Sequence, residues 1–146
     1  MAITQAIANS FKKQLLEGDH NFASAGGDKF KIALYTSSAT LNSATTVYAN
    51  TNEVSNTGQY VTGGGALVNA GTSITAGVAR CDFNDRSFTG VTLTARGALI
   101  YNTSAAVSNS AVAVLDFGAD KTATSGTFTI QFPAATSTAA ILRISG

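Results

Sequence analysis

Charged side chains are scarce in this sequence. Of its 146 residues, only 12% are Asp, Glu, Lys or Arg, about half the share that is usual in soluble domains. Gly, Ala, Ser and Thr take their place. A free monomer normally carries more charge to stay in solution, so this surface suits a chain that other subunits cover or that must survive outside a cell. A stable, neutral β domain without such a role is the plainer alternative.

The nine Lys and Arg residues are spread along the chain, and the net charge is only +1. No basic block could neutralise a phosphate backbone, so we expect no nucleic-acid partner. No apolar run approaches the roughly 20 residues that span a bilayer, so we expect no membrane partner. The start of the chain shows no basic segment followed by a continuous apolar stretch, which predicts no signal peptide and synthesis in a cytoplasm.

Cys81 is the only cysteine and His20 the only histidine. A single cysteine excludes an intrachain disulfide and leaves a cysteine-based zinc site without ligands. Nucleophilic catalysis needs Cys and His close in space, with a third group that orients the histidine. The two residues are distant in sequence, and nothing else supports that arrangement. We therefore expect Cys81 to be a reduced, packed side chain.

Carboxylates offer two further candidate sites. Residues 82–85 (DFND) are rich in oxygen ligands, but the glycine and the closing Glu of a calcium-binding EF-hand loop are missing, so we expect a turn. Asp116 and Asp120 could form the carboxylate pair of a glycosidase, yet tryptophan is absent and the other aromatics follow strand patterns. We expect a hairpin connection there, with an internal salt bridge to Lys121. No catalytic, cofactor-binding or metal-binding residue is predicted, and the chain is not expected to be an enzyme.

Short apolar runs, separated by Gly, Asn, Ser or Pro, fill the C-terminal third. They cover residues 91–94, 98–101, 111–117, 127–132 and 139–144. Each is too short for an ordinary helix and rich in Val, Ile, Thr, Phe or Tyr, which is typical of successive antiparallel strands. The run 111–117 (AVAVLDF) is apolar at nearly every position, which predicts a strand buried on both faces. Alternation over DKFKIALYT predicts another strand, with its lysines on a solvated or edge face.

The sequence predicts one domain over residues 1–146, with a helix at 4–17 and an antiparallel β-sandwich of jelly-roll type over about 29–146. In the helix, an apolar stripe recurs at three- and four-residue steps, with Thr4 as a possible cap and Gly18 as the C′ residue. The stripe consists of Ala6, Ile7, Phe11, Leu15 and Leu16. In the sandwich, we expect one shared core formed by Ile32, Leu34, Leu99, Tyr101, Val112, Val114, Phe128 and Ile130.

Residues 37–59 contain few apolar side chains and predict a long excursion from the sheet. Loops of this length in compact domains are usually functional, so this segment and the helix stripe are the first candidates for contact with a partner.

Gly63–Gly65 predict a turn or bulge with positive φ. No Lys-Ser/Thr pair follows them, which excludes a phosphate-binding loop. Residues 72–83 predict a strand pair.

Six segments carry a resemblance to a known family. They are AITQAIANSFKKQLLEGDHNF, DKFKIALYTSSATL, NEVSNTGQYVTGGGALVN, GALIYN, AVAVLDFG and GTFTIQFP. In order and spacing they resemble a family of small bacteriophage virion structural proteins, and the resemblance covers nearly the whole chain. None of the segments is a catalytic motif. The resemblance implies a structural protein of the virion, made in the cytoplasm of a host bacterium.

Within such a particle we expect a capsid decoration, or cement, protein. It would stabilise the shell as a homo-oligomer, through contacts with itself and with a major capsid protein. The alternative is a tail- or fibre-associated protein, or a cell-surface or carbohydrate-binding module in which Tyr48 and Tyr60 contact a sugar.

Overall fold

Two long antiparallel strands form the centre of the structure, a computed structural model that describes residues 2–136 and 138–145. In chain order, the elements are β1 (Ala6–Ile7), α1 (Asn9–Leu16), β2 (Phe30–Tyr35), β3 (Gly65–Ala66), β4 (Asn69–Thr75), β5 (Val78–Phe83), β6 (Arg86–Asn102), β7 (Ser110–Ile130) and β8 (Leu142–Ile144). One sheet has the order β1-β7-β6-β2-β3 and the other β4-β5-β8, with antiparallel pairing in both. The prediction of a mainly β, antiparallel fold with one short helix near the N-terminus is confirmed.

Strands β6 and β7 pair along most of their length, from Arg86 opposite Ile130 to Asn102 opposite Ser110. The sequence predicts four strands in this region, but the runs join into two. Within each strand, the residues between the runs form β-bulges instead of turns, because the register shifts at several points without ending the pairing. Residues 103–109 connect the two strands. Gly90 and Gly118 lie at two of these shifts, with φ of 65° and 81°, a conformation that glycine adopts without strain.

The predicted hairpin connection at Asp116–Lys121 is wrong. Strand β7 continues through this segment, and residues 117–120 form a wide bulge opposite Arg96 of β6. The ion pair forms across the strands, with Arg96 Nε 3.2 Å from Asp116 Oδ1. The backbone N–H of Gly118 and the Arg96 guanidinium both bond the Asp116 carboxylate and lower its pKa.

The two sheets share one core. The ring of Phe83 on β5 lies 5.4 Å from that of Phe30 on β2, and Phe22 stacks on Phe30 at 4.5 Å. Every side chain that the sequence assigns to the core is buried: Ile32, Leu34, Leu99, Tyr101, Val112, Val114, Phe128 and Ile130. Strand β7 is continuously buried from Ser110 to Val114, whereas residues 115–117 are only half-buried. The prediction of a buried strand over 111–117 is therefore correct for its first four residues. Contact between two sheets through inner faces is the arrangement of a sandwich, and the jelly-roll connectivity stays a prediction.

The predicted solvated face of β2 is exposed only at its lysine end. Lys29 precedes the strand and is exposed, and Lys31 is half-buried, whereas Ala33 and Tyr35 are at most 1% exposed. The excursion 37–59 pairs with the edge of the strand at its other end, where Tyr35 lies opposite Glu53. The backbone N–H of Val54 donates to Leu34 O at 2.9 Å, and Tyr35 Oη donates to Ala49 O at 2.7 Å. The excursion therefore pairs with the edge of β2 and covers the Tyr35 side chain.

The helix is shorter than predicted and spans Asn9–Leu16. Residues 6 and 7 pair with β7 as strand β1 instead, since that edge of β7 offers backbone partners. Thr4 is therefore not the cap; Ala8 is, and it makes no side-chain capping bond. The C-terminal prediction is confirmed, with Gly18 at φ 78° and its N–H donating to Leu15 O. Within the described residues, no helix has the length and apolar content that crossing a membrane requires.

Candidate functional site

The sheet β4-β5-β8 carries a neutral, apolar face. Paired residues of neighbouring strands project to the same side of a sheet, so the register forms two rows of three side chains. The rows are Thr72–Cys81–Leu142 and Ile74–Ala79–Ile144. Cys81 and Leu142 are buried, whereas Ile74 and Ile144 are 71% and 59% exposed. The second row therefore leaves two large aliphatic side chains in solvent.

Helix α1 lies beside this face. Its Phe11 is buried, but Leu16 is 91% exposed, and Ile7 just before the helix is 36% exposed. Helix and sheet face together line a groove of about 980 Å³, which we call the apolar groove. Of the eight large hydrophobic side chains exposed in the described chain, four line it: Ile7, Leu16, Ile74 and Ile144. A concentration of this kind on one face is typical of an interaction surface.

The apolar groove has no acidic residue among the described residues that line it. Its charged lining residues are three cations, Lys12 of the helix and Arg80 and Arg143 of the sheet. The register directs the two arginines towards the opposite face of the sheet. There the Arg80 guanidinium donates to Ala135 O and to Thr75 Oγ1. The groove can therefore bury apolar surface of another protein without removing carboxylates from water.

His20 also lines the apolar groove, but its side chain is buried and both ring nitrogens are engaged. Nε2 lies 2.9 Å from Gln14 Oε1, and Nδ1 lies 3.0 Å from Asn102 Nδ2. The Phe11 ring packs on the imidazole at 4.7 Å. Burial lowers the pKa of His20, and the nearby Asp28 and Asp19 carboxylates oppose that effect without cancelling it. Neither nitrogen is available to accept a proton from a nucleophile.

Cys81 shares the groove with His20 and is a buried, free thiol. The prediction of a packed cysteine is confirmed. Burial raises the pKa of Cys81 to about 12, with a smaller contribution from the neighbouring Asp82. The side chain is therefore a protonated thiol at neutral pH, and the thiolate that nucleophilic catalysis requires does not form.

The DFND segment is not a turn: Asp82 and Phe83 end β5, and residues 84–85 connect it to β6. Its carboxylates accept from backbone amides, as predicted. Asp85 Oδ1 accepts from the N–H of Phe132 at 2.8 Å, and Asp82 Oδ1 accepts from the N–H of Phe83 at 2.9 Å. Burial raises the pKa of Asp82. Within residues 2–136 and 138–145, no group of three or more His, Cys, Asp or Glu side chains is placed to hold a metal ion.

The excursion 37–59 is anchored by a cluster that the sequence did not predict. Tyr48 Oη and Tyr60 Oη donate to the two carboxylate oxygens of Glu53, at 2.5 and 2.6 Å, and the N–H of Gly63 donates to Glu53 Oε2 at 2.7 Å. Tyr60 Oη in turn accepts from the buried N–H of Leu34 at 2.8 Å. One carboxylate thus joins the excursion, the following loop and, through Tyr60, strand β2.

All four tyrosines of the chain meet in this tyrosine cluster, formed by Tyr35, Tyr48, Tyr60 and Tyr101 around Glu53. Tyr48 stacks on Tyr101 at 4.7 Å, and Tyr101 Oη donates to Gly63 O. Tyr60 is fully buried, so it cannot contact a sugar as the carbohydrate-binding alternative assumes. Both Tyr48 and Tyr60 use their hydroxyls inside the domain.

The glycine segment after the excursion behaves as predicted. Gly63 and Gly64 have φ of 102° and 86°. A Cβ on Gly64 would lie 1.9 Å from Ile32 O, so close approach to β2 as well as the dihedral angle requires glycine. The segment is a structural turn against the sheet.

The sequence predicts the helix side of the apolar groove but not the side that the sheet β4-β5-β8 forms. The helix stripe includes Ile7 and Leu16, which the structure leaves exposed. Ile74 stands among Thr and Ser in a predicted strand pair, a weak sign of exposure, but its position beside Ile144 depends on the pairing of β5 with β8. Comparison of the chain with protein-family models, curated proteins and solved structures found no match in any of the three.

Proposed function

We propose that this protein is a bacteriophage virion structural protein, a capsid decoration protein that associates with further copies of itself through the apolar groove and also binds the major capsid protein. The observation that carries the proposal is the exposure of Leu16, Ile74 and Ile144 around one groove of a charge-poor chain. The sequence resemblance to phage structural proteins supports the same reading.

A second copy is the occupant that we propose for the groove, because its apolar side chains can cover one another and the low net charge permits the approach. The net charge of +1 gives little long-range repulsion between copies. In a two-fold contact the same surface meets itself, so a groove lined by carboxylates would repel its own copy. This groove has none among its described residues. Of its three cations, Lys12 lies on a helix from which its ammonium can stay in water, and Arg80 and Arg143 occupy strand positions that alternate with the apolar rows.

The expected strength of this contact explains why a repeated assembly would be needed. The four exposed side chains are on average about two thirds exposed, and full burial of one such side chain contributes about 1.5–3 kcal/mol. Two copies would gain roughly 10 kcal/mol from these groups, which is comparable to the 4–15 kcal/mol that association costs. An isolated pair is then weak, whereas repetition around a shell makes weak contacts effective through high local concentration.

Copy number in purified particles tests the place of the protein in the virion. Quantitative mass spectrometry of washed virions should find hundreds of copies, as a shell protein requires. A few copies per virion would contradict the decoration role and favour the neck or tail. Absence from washed virions would overturn the structural proposal as a whole.

Self-association tests the groove separately. Leu16→Gln and Ile74→Thr alter exposed side chains and should weaken the concentration-dependent association seen by sedimentation velocity. Val61→Thr is the matched control, because Val61 is 56% exposed but lies outside the groove. Equal effects of all three variants, or no effect of the groove variants, would reject the groove as the contact surface.

A further inference from the structure

A chain of buried polar groups ties α1 and the following loop to the ends of β6 and β7. His20 in the loop contacts Gln14 of α1 on one side and Asn102 of β6 on the other. Gln14 Nε2 also donates to Ser110 Oγ, the first residue of β7, at 3.4 Å. Asn102 and Ser110 are fully buried and His20 is nearly so. The histidine is therefore the link between the helix and the central hairpin.

The partners of Asn102 fix the protonation state of His20. Asn102 Oδ1 accepts from the N–H of Ser104 at 2.8 Å, which defines the orientation of the amide. Asn102 Nδ2 then donates one hydrogen to Asp28 Oδ2 at 2.8 Å and the other to His20 Nδ1 at 3.0 Å. His20 Nδ1 must therefore be an acceptor. The ring proton sits on Nε2, from which it is donated to Gln14 Oε1.

A second proton on this ring would have no acceptor. It would bind Nδ1 and face the Asn102 NH₂ group, so that two donors oppose each other. Turning the Asn102 amide over would present its oxygen to the ring, but this would break the bonds to Asp28 and to the N–H of Ser104. Because these groups are buried or partly buried, each lost bond leaves a polar atom without a partner.

We propose that His20 is an acid-sensitive latch, whose protonation releases α1 and the loop 19–28 from the ends of β6 and β7. Because α1 is one wall of the apolar groove, acid would alter the shape of that surface. The inference rests on the buried network and would hold whatever the protein binds.

The charged groups around the latch do not remove this effect. The loop contributes two carboxylates, Asp19 and Asp28. Other elements contribute three cations that line the same groove, Lys12 of α1, Arg80 of β5 and Arg143 of β8. Asp28 is already bonded to Asn102 and to the N–H of Asn21. From β6 and β7, the groups that contact the network are the neutral Asn102 and Ser110.

The direction of the pH effect follows from linkage. The pKa of His20 is below 6.5 in the folded protein, mainly because of burial, whereas the released side chain has the ordinary value of about 6.5. The open state therefore binds more protons, and stability of the closed latch is lost as pH falls below about 6.5. Opening should increase up to about tenfold for each pH unit until the folded pKa is reached.

NMR of the wild-type protein is the first test. Because His20 is the only histidine, imidazole ¹⁵N–¹H spectra report on it alone. We expect the Nε2–H form at pH 7.5 and a titration midpoint below 6.5. A proton on Nδ1 at pH 7.5, or a midpoint at or above 6.5, would overturn the latch even if no variant folds.

Hydrogen exchange is the second test, with His20→Gln as the non-titrating control. After correction for intrinsic exchange, protection of residues 9–28 should fall between pH 7.5 and 5 in the wild type, while protection within β6 and β7 changes less. In His20→Gln the pH dependence of residues 9–28 should be lost. The same pH dependence in both proteins would assign it to carboxylates and reject the proposal.

Discussion

Glu53 should be the most important polar residue for the stability of this fold. Its carboxylate accepts from Tyr48 Oη, Tyr60 Oη and the N–H of Gly63, all within 2.7 Å. A hydrogen bond to a charged group contributes about 1.5–3 kcal/mol, but Glu53 is only half-buried, and water can replace part of what is lost. We expect Glu53→Ala to lower the free energy of unfolding by about 3–5 kcal/mol, a large part of the 5–15 kcal/mol typical of a domain.

Glu53→Gln separates the geometry of this cluster from its charge. The glutamine oxygen can take the place of Oε2 and accept from Tyr60 and Gly63, while its NH₂ group donates to Tyr48 Oη, which accepts after rotation of its hydroxyl. Each of the three contacts then keeps a hydrogen bond, but the charge assistance is lost and the Tyr48 hydroxyl hydrogen loses its acceptor on residue 53. The expected loss is about 1–2 kcal/mol, well below that of the alanine variant.

Urea unfolding followed by circular dichroism measures both losses. The midpoint should fall in the order wild type, Gln, Ala with a constant slope, and the thermal midpoint should decrease by about 2–4 °C for each kcal/mol. Glu17→Ala is the control, because Glu17 makes an exposed ion pair with Lys13 that contributes little. Refutation would come from a Glu53→Ala protein as stable as the Glu17→Ala protein, since the cluster would then not anchor the excursion.

Burial and backbone geometry give four further predictions. Leu99→Ala should lower the free energy of unfolding by about 2–5 kcal/mol, because Leu99 is fully buried; a change near zero in urea unfolding would contradict its place in the core. Gly64→Ala should destabilise the protein and reduce its soluble yield, since the new Cβ would collide with Ile32 O; a wild-type melting temperature would show that the turn can move. Burial raises the pKa of Tyr101 to about 12, so its contribution to stability is complete below pH 10 and lost as pH rises towards 12; absorbance at 295 nm, which follows tyrosinate, should rise together with unfolding, and tyrosinate formation near pH 10 in the folded protein would be inconsistent with this. Cys81 should react with a thiol reagent much faster in urea than in buffer at pH 8, because its pKa is raised to about 12 in the fold; equal rates would show that the thiol is accessible.

The strands of this fold could be predicted from local patterns, but their continuity could not. Period-two alternation identifies β2, and continuous apolarity identifies the buried start of β7. The same rules treat Gly90 and Gly118 as turn residues, whereas here they lie at register shifts within paired strands. A bulge and a turn use the same glycine conformation, and only the partner strand decides between them. For the same reason, the apolar spacing predicts a helix through residues 6 and 7, whereas these residues pair with the edge of β7.

The excursion 37–59 shows why the tyrosine cluster could not be predicted. Its low apolar content correctly indicates that hydrophobic packing alone does not hold it. Its anchor is Glu53, a single carboxylate whose partners at 48, 60 and 63 come from both sides of it in sequence. No periodicity marks such a residue, because its role depends on the distance between chain segments and not on the spacing within one.

The two surfaces that the sequence proposes for partner contact are therefore not equivalent. Tyr48 in the excursion and Tyr60 directly after it make their hydroxyl bonds within the domain, so recruiting them to a partner would first require breaking the bonds to Glu53. In the helix stripe, Leu16 is 91% exposed and lines the same groove as Ile74, which is 71% exposed. Covering these side chains breaks no bond that the structure describes, and it removes apolar area from water. Contact through the groove is thus the association that the fold permits at the lower cost, and the helix, not the excursion, is where substitutions should change assembly without changing stability.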